Sequence, residues 1–452
     1  MSNQKLFGTD GVRGTANEDP ITVPSVLRLI RVAAEILSPK GARPKVLVGR
    51  DTRASGEMLE SAIAAGLASA GVDIVLTGTL PTPAIAYLTA AHEASFGVVI
   101  SASHNPFEDN GIKFFGSDGY KLSDELEQAI EAAYFRSSDS RSEVAAKDIG
   151  RVVHLRDAVE QYASLATASF PKQASLKGLK IAVDTANGAA FQTTPLVLSS
   201  LGANLELRSV SPDGFNINAG CGSTHPEFIS GVVRETGAHV GIAHDGDADR
   251  VLFCDENGQS LDGDELLAIA AVDYLQQNRL RDNTLVATVM SNFGLDELLK
   301  SYGARLLRTA VGDRNVVDAL IKNRLNLGGE QSGHLIFRDF VTTGDGLISA
   351  LQILSIIVST GKPLSELRLL LKKFPQVQRN LHVRSKPPID QVPGLTQAIG
   401  RAEKALAEKG RVLVRYSGTE PLIRLLLEGP DRAQLERLAD NIAQTIEDHL
   451  SP

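Results

Sequence analysis

The sequence predicts an α/β fold: three similar α/β units with mixed, mostly parallel sheets, followed by a C-terminal α+β unit. Three observations carry this. Short apolar, β-branched runs alternate with stretches of helical period from residue 45 onward, the pattern of βαβ units. Polar, glycine-bearing loops leave several of those runs, where open α/β sheets hold their ligands. After Lys362 strand signals at 377–383, 411–415 and 422–428 are separated by a helix at 395–407 and followed by one at 432–449, the texture of an α+β unit.

The first unit, 1–150, opens on a loop in which Gly8, Gly11 and Gly14 surround Arg13. Such a backbone comes close to a ligand, and the guanidinium suits an anion. A strand at 45–48 leads through the loop 49–53 to a helix at 57–70, a strand at 73–77, a helix after Pro83 and the wholly apolar strand 96–100. That last strand ends in Ser101-Ala102-Ser103-His104-Asn105-Pro106. Ser103 is the reactive candidate, with His104 beside it and Lys113 further along, although Ser, Asn and Pro also make ordinary turns. Ser123 caps a helix at 124–135, and the polar run 137–148 reads as a linker.

The second unit, 151–256, repeats the pattern with strands at 179–183, 205–208 and 240–243 and a ligand-type loop at 184–188. The third, 257–368, carries a helix at 265–274 and a strand at 284–289, and the fourth is 369–452. Three α/β units in succession suggest internal duplication.

Composition bounds the function. A chain of 452 residues exceeds one core and implies about three or four domains. Its 43% hydrophobic and 22% charged residues are ordinary for a soluble globular protein. A net charge of −8 argues against nucleic acid as a partner, while leaving room for a small anionic substrate held by a local basic cluster. The most apolar stretch, 347–358, is interrupted by Ser and Gln and is too short to cross a bilayer, so no membrane is expected. Cys221 and Cys254 give neither metal spacing nor a disulfide framework, and the polar N-terminus lacks a signal core; a cytoplasmic location follows.

Asp245, Asp247 and Asp249 leave the strand at 240–243 with one small residue between each pair. Three carboxylates this close repel one another, and their hard oxygens favour Mg²⁺. An EF-hand loop shares the spacing, with Glu256 at its twelfth position, but Arg250 stands where that loop needs Gly and strands flank it. A phosphatase with an aspartate nucleophile and a plain solvated turn are further alternatives. A metal here could hold a phosphate on Ser103, with Arg250 adding a charge-assisted bond. In Gly329-Glu330-Gln331-Ser332-Gly333-His334 an extended backbone points Glu330, Ser332 and His334 the same way, towards vicinal sugar hydroxyls, unless the segment is a hairpin turn. Arg415, Ser417, Gly418 and Thr419, with Arg424 close behind, supply the hydroxyls, backbone N–H groups and cations of a phosphate cradle, or else a β-turn.

Taken together and in this order, one per unit, the four stretches resemble the α-D-phosphohexomutase family over essentially the whole chain. Leu6-Phe7-Gly8-Thr9-Asp10-Gly11-Val12-Arg13-Gly14, Cys221-Gly222-Ser223-Thr224-His225-Pro226 and the segment 329–334 are most similar to its bacterial amino-sugar branch. Ala248 stands where many relatives carry Gly. The resemblance implies four domains around a central cleft, the last one mobile, in a monomer or homodimer. It implies a phosphoserine at Ser103, with Mg²⁺ held by Ser103, Asp245, Asp247 and Asp249. Sugar contacts fall to Glu330, Ser332 and His334, and phosphate contacts to Arg415, Ser417, Gly418, Thr419 and Arg424. Arg13, Lys113 and Arg250 serve charge neutralisation, and Lys113 and His104 are the candidates for proton transfer. The implied activity is interconversion of glucosamine 6-phosphate and glucosamine 1-phosphate through a sugar 1,6-bisphosphate, which acts as intermediate and activator, for amino-sugar and cell-wall precursor synthesis. The glucose- and mannose-phosphate branches of the family, and a Mg²⁺-dependent sugar phosphatase, are the alternatives.

Overall fold

The computed structural model describes residues 5–8, 10–39, 43–136, 144–417 and 420–451, which fall into two compact units. The larger comprises residues up to 290 and 306–370, and the smaller comprises 291–305 and 371 onward.

Three sheets build the larger unit. The first runs in the order Val12–Thr15, Asp109–Gly116, Phe96–Ile100, Lys45–Arg50, Asp73–Thr79, Val152–His154. Its last four strands are parallel, and Asp109–Gly116 comes back antiparallel beside Phe96–Ile100. The second runs Ser260–Leu261, Val251–Asp255, Val240–His244, Lys180–Asp184, Asn204–Arg208. Its last three strands are parallel, and Val251–Asp255 reverses against Val240–His244. The third runs Arg305–Thr309, Thr284–Thr288, Leu327–Gly329, Leu335–Phe337. There Leu327–Gly329 lies parallel to Thr284–Thr288, and Leu335–Phe337 reverses against it.

One event therefore recurs in each sheet: a parallel strand ends, the chain turns, and the next strand returns antiparallel beside it. The turns at these reversals are, in order, the serine stretch, the acidic stretch and the Glu330–His334 stretch. Burial on both faces explains why Phe96–Ile100 and Val240–His244 read as nearly unbroken apolar runs. Of the polar run at 137–148, residues 137–143 lie outside the described residues, and Ala146–Asp148 forms a single 3₁₀ turn.

Helix Gly263–Gln276 begins in a capping box between Asp262 and Glu265. Helix Gly346–Thr360 is capped by the Asp345 carboxylate and stopped by Gly361 in the left-handed conformation. Most of that helix is buried, and no single helix among the described residues is long and apolar enough to cross a membrane. The Asp345 carboxylate also accepts from the Tyr162 hydroxyl at 2.9 Å and from Ile348 N–H at 2.9 Å. Burial nevertheless pushes its pKa up to about 6 against these donors. A carboxyl with a raised folded-state pKa stabilises below its unfolded value and loses that contribution as pH rises through the folded one. Wild-type stability should therefore fall by up to about 3 kcal/mol between roughly pH 4 and 6 relative to Asp345→Asn, measured by urea unfolding across that range. A pH-independent difference between the two proteins would contradict this.

The smaller unit is an antiparallel sheet in the order Gln376–His382, Leu422–Glu428, Arg411–Tyr416, with helices Leu395–Leu406 and Arg432–Leu450. Val377, Leu395, Ile423, Leu425, Leu427, Leu435, Ile442 and Ile446 share its core. The Asp431 carboxylate caps the last helix. This is the α+β texture expected from the sequence.

Candidate active site

Ser103 lies just past Phe96–Ile100 with φ +52°, a left-handed conformation that costs a non-glycine residue about 1–3 kcal/mol. It is 1% exposed, and its Oγ donates to Asp245 Oδ2 at 2.6 Å and sits 3.3 Å from His104 Nδ1. The three aspartates of the second reversal loop converge beside it, one carboxylate oxygen of each lying within 4.8 Å of the others. Asp245 Oδ1 takes the Arg250 N–H at 3.2 Å, and Asp247 Oδ2 takes Thr82 Oγ1 at 2.6 Å and Lys113 Nζ at 2.8 Å.

The remaining oxygens test the fit of a metal. Asp247 Oδ1 and Asp249 Oδ1 are buried and accept no hydrogen bond. Burial, then repulsion from Asp249 and Asp247, pushes the Asp245 carboxyl well above the usual carboxylate range. Two orphaned hard oxygens in a mutually repelling set fit a hard divalent cation. Strands rather than helices flank the loop, unlike an EF-hand.

Lys113 is 2% exposed; burial opposes its charge, but Asp10 at 2.9 Å and Asp247 outweigh that and hold it protonated. His104 goes the other way. Burial, Arg250 and Arg13 together lower its pKa to about 4, so the ring is neutral near neutral pH. Arg250 Nη1 lies 3.3 Å from His104 Nδ1, and its Nε lies 3.8 Å from Asp249 Oδ1. Arg13 pairs with Asp10 at 2.5 Å and reaches Ala102 O at 3.4 Å.

Several of these groups border a cavity of about 540 Å³, which Arg13, His104, Asp249, Arg250, Glu330 and His334 line together with Lys5, Asp10 and Asp313. The extended reading of 329–334 is overturned here. The segment is a tight turn with Gly333 at φ +90°, so alternation no longer aligns its side chains. Glu330 and His334 reach the cavity, whereas Ser332 is exposed. Glu330 Oε1 accepts the Gly312 N–H at 3.0 Å. His334 lies with Nδ1 3.6 Å from Asp249 and Nε2 3.8 Å from Asp313. Burial disfavours its charge, but Asp249 and Asp313 outweigh burial and push its pKa up to about 9. The Gly344 N–H, 3.2 Å from Nε2, favours instead a neutral ring accepting there. A cation drawing charge from Asp249 would tip the balance towards that neutral form.

Sequence reasoning passed over Asp10, Lys121 and Asp313. Lys121 lies half-buried between the other two, 2.5 Å from Asp10 and paired with Asp313. A ladder of alternating charge results: Asp247, Lys113, Asp10, Lys121, Asp313, His334, Asp249. Asp10 stood in the loop read for Arg13 alone, and Asp313 beside a glycine just after a strand; those two placements were the available signal.

In the smaller unit, Arg415 and Arg424 face each other in register across two antiparallel strands. Burial and the neighbouring Arg424 guanidinium lower the Arg415 pKa, so an anion between them would be welcome. Ser417 Oγ accepts the Glu420 N–H at 3.3 Å, and Arg424 donates to Glu420 at 2.6 Å. Gly418 and Thr419 lie outside the described residues.

The chain matches all four domains of the phosphoglucomutase/phosphomannomutase family: alpha/beta/alpha domain I at 4–141, II at 159–258, III at 262–374 and the C-terminal domain at 377–445. It is 51% identical to a phosphoglucosamine mutase of Syntrophotalea carbinolica, covering 99% of this chain and 98% of that one. A phosphoglucosamine mutase of Geobacter sp. is 51% identical over the same shares. A phosphoglucomutase/phosphomannomutase family protein of Burkholderia thailandensis has the same fold, with TM-score 0.81 at 24% identity, covering 98% of this chain and 97% of that one. The chain belongs to the phosphoglucomutase/phosphomannomutase family of phosphohexomutases, and it is an isomerase.

Proposed function

We propose that this isomerase is a phosphoglucosamine mutase, interconverting glucosamine 6-phosphate and glucosamine 1-phosphate through a phosphorylated Ser103 and glucosamine 1,6-bisphosphate. One observation carries the chemistry: a buried serine hydroxyl 2.6 Å from one carboxylate of a three-aspartate cluster, whose Asp249 lines a charged cavity. Identity of 51% along the whole length to relatives of that name supports the choice of sugar.

In the forward direction the bond between phosphorus and Ser103 Oγ breaks as the sugar's C1 hydroxyl oxygen bonds to phosphorus. The hydroxyl proton passes to a base, a role the neutral ring of His104 supports. The bisphosphate turns over, its C6 phosphoryl returns to Ser103, and the C6 oxygen regains a proton. Lys113 and Arg250 remain cationic and offset phosphoryl charge, as does Arg13 at the cavity wall. Asp245, Asp247, Asp249 and Ser103 would hold Mg²⁺, which supplies charge neutralisation at the transferring group. Glu330 orients ring hydroxyls, and Arg415, Ser417, Gly418, Thr419 and Arg424 hold the other phosphate. The same reading carries a cytoplasmic protein, monomer or homodimer, and the free thiols Cys221 and Cys254 suit a reducing compartment.

Phosphorus NMR of glucosamine 6-phosphate with the protein, Mg²⁺ and a trace of bisphosphate tests this reading. A new sugar 1-phosphate resonance is expected, lost on chelation and regained with Mg²⁺. Free phosphate would identify a phosphatase instead, and turnover of only glucose or mannose 6-phosphate would move the protein to another branch. Within the sugar site, Glu330→Gln should raise KM about 10- to 100-fold, the worth of a charged hydrogen bond. Exposed Ser332→Ala should change it less than about threefold. Equal effects in steady-state kinetics would contradict that division.

A further inference from the structure

We propose that Arg53 and Asn218 are positioning residues for phosphoryl transfer, a two-sided grip that holds the Ser103 peptide in its left-handed conformation; the proposal rests on Ser103 being the residue that carries the phosphoryl group. Neither side chain borders the cavity. Both are buried, Arg53 completely. Ser103 O accepts from Arg53 Nη2 at 3.2 Å and from Asn218 Nδ2 at 2.9 Å. Asn105 O accepts from the same two nitrogens, at 2.5 Å and 3.0 Å. Two donor groups thus bracket two carbonyls, one on each side of His104.

The amide side of the serine is tied into the same assembly. Ser103 N–H donates to Ser101 Oγ at 2.9 Å, and Ser101 Oγ donates to Asp51 Oδ2 at 2.6 Å. The Asp51 carboxylate is the buried ion-pair partner of the Arg53 guanidinium. One circuit therefore fixes both the N–H and the C=O of Ser103, and with them φ and ψ. The acidic loop closes over it: a Cβ on Gly246 would stand 2.6 Å from Ser103 O and 2.8 Å from Asn218 Nδ2. Only a residue without a side chain lets that loop lie so near the serine carbonyl.

The two halves of the grip come from different sheets. Arg53 follows the strand Lys45–Arg50 of the first, and Asn218 lies in the loop that follows the strand Asn204–Arg208 of the second. Thr52 Oγ1 donates to Asn187 O at 2.6 Å and Ala54 N–H to Gly214 O at 2.9 Å, sewing the same seam. The serine thus reaches its reactive conformation only when the two sheets that carry nucleophile and carboxylates are docked. A carboxamide suits this place because one NH₂ group offers two hydrogens to two acceptors, whereas a carboxylate would set an anion against two carbonyls.

Asn218→Ala should lower kcat, and the single-turnover rate of Ser103 phosphorylation by glucosamine 1,6-bisphosphate followed by intact mass, by about 100-fold, with KM within about threefold of wild type. Asn218→Asp should be slower still, and Arg53→Lys should keep part of the rate. Thermal unfolding is measured alongside. A role confined to stability would lower the melting temperature but leave both rates of the folded protein at wild-type values, and that result overturns the proposal. Should Asn218→Ala fail to fold, Asn218→Ser and Arg53→Lys carry the same decision. Ser103→Ala separates the two levels: if it still turns over, the phosphoserine reading itself falls. If it is inactive while Asn218→Ala matches wild type, only the grip is wrong.

Discussion

Ser103→Ala is expected to lower turnover of glucosamine 6-phosphate by about four orders of magnitude or more, as for other enzymes stripped of their nucleophile. The loss should be this large because no neighbour substitutes. Ser101 is buried with its hydroxyl committed to Asp51, and the described residues lining the neighbouring cavity include no serine or threonine. The variant should bind the bisphosphate yet acquire no covalent phosphate, read by intact mass. It should remain folded, because the deleted hydroxyl is one donor to a carboxylate that has a second partner in the Arg250 N–H. Removing it leaves Asp245 among its acidic neighbours, so a small stability change that vanishes with saturating Mg²⁺ is the expected companion. Residual turnover within tenfold of wild type would move the phosphoryl carrier elsewhere and dismantle the mechanism.

Lys113→Met should be the costliest single change to the fold around the cavity. The ammonium is buried between Asp10 and Asp247; its removal leaves buried Asp247 without its cation while Asp10 keeps Arg13 and Lys121, a loss worth about 3–5 kcal/mol. The pH dependence has a definite sign. Burial works against the Asp10 carboxylate, but Lys113, Lys121 and Arg13 outweigh it and hold its pKa well below the usual value. A depressed carboxyl stabilises the fold above its unfolded pKa and loses that contribution as pH falls through the folded one. Lys113→Met lifts part of the depression, so its deficit should be full near neutral pH and should narrow only below about pH 4, where the less depressed Asp10 of the variant takes up a proton first. Urea unfolding of both proteins in chelator at the two pH values reads this directly. A deficit that stays constant would mean that lost packing, not charge, sets the cost.

Much of this was legible from local pattern. Phe96–Ile100 and Val240–His244 are buried on both faces, so they announce themselves as apolar runs, and the loops that follow carry their chemistry in consecutive residues. Helix Gly346–Thr360 was read only as an apolar stretch because it is buried nearly all round and shows no polar stripe to mark its period. Pairings between distant residues were invisible. Lys121 meets Asp10 and Asp313, which stand 111 and 192 positions away, and a lone charge in a sequence does not name its partner. The Glu330–His334 segment misled for a different reason. Alternation predicts a shared face only on an extended backbone, and the left-handed Gly333 bends it into a turn.

The strand reversal found in all three sheets of the larger unit has a consequence for how such an enzyme changes its diet. On the proposed function each reversal contributes one instrument: the first the phosphoryl carrier, the second the counter-charge, the third the sugar reader. The instruments sit on separate β-scaffolds, so a lineage can retune which sugar it accepts by rewriting the third turn and its neighbour Val311-Gly312-Asp313 while the transfer chemistry of the first two goes untouched. Preference for one hexose over another is then a replaceable part, and the phosphoryl-handling pair a fixed one.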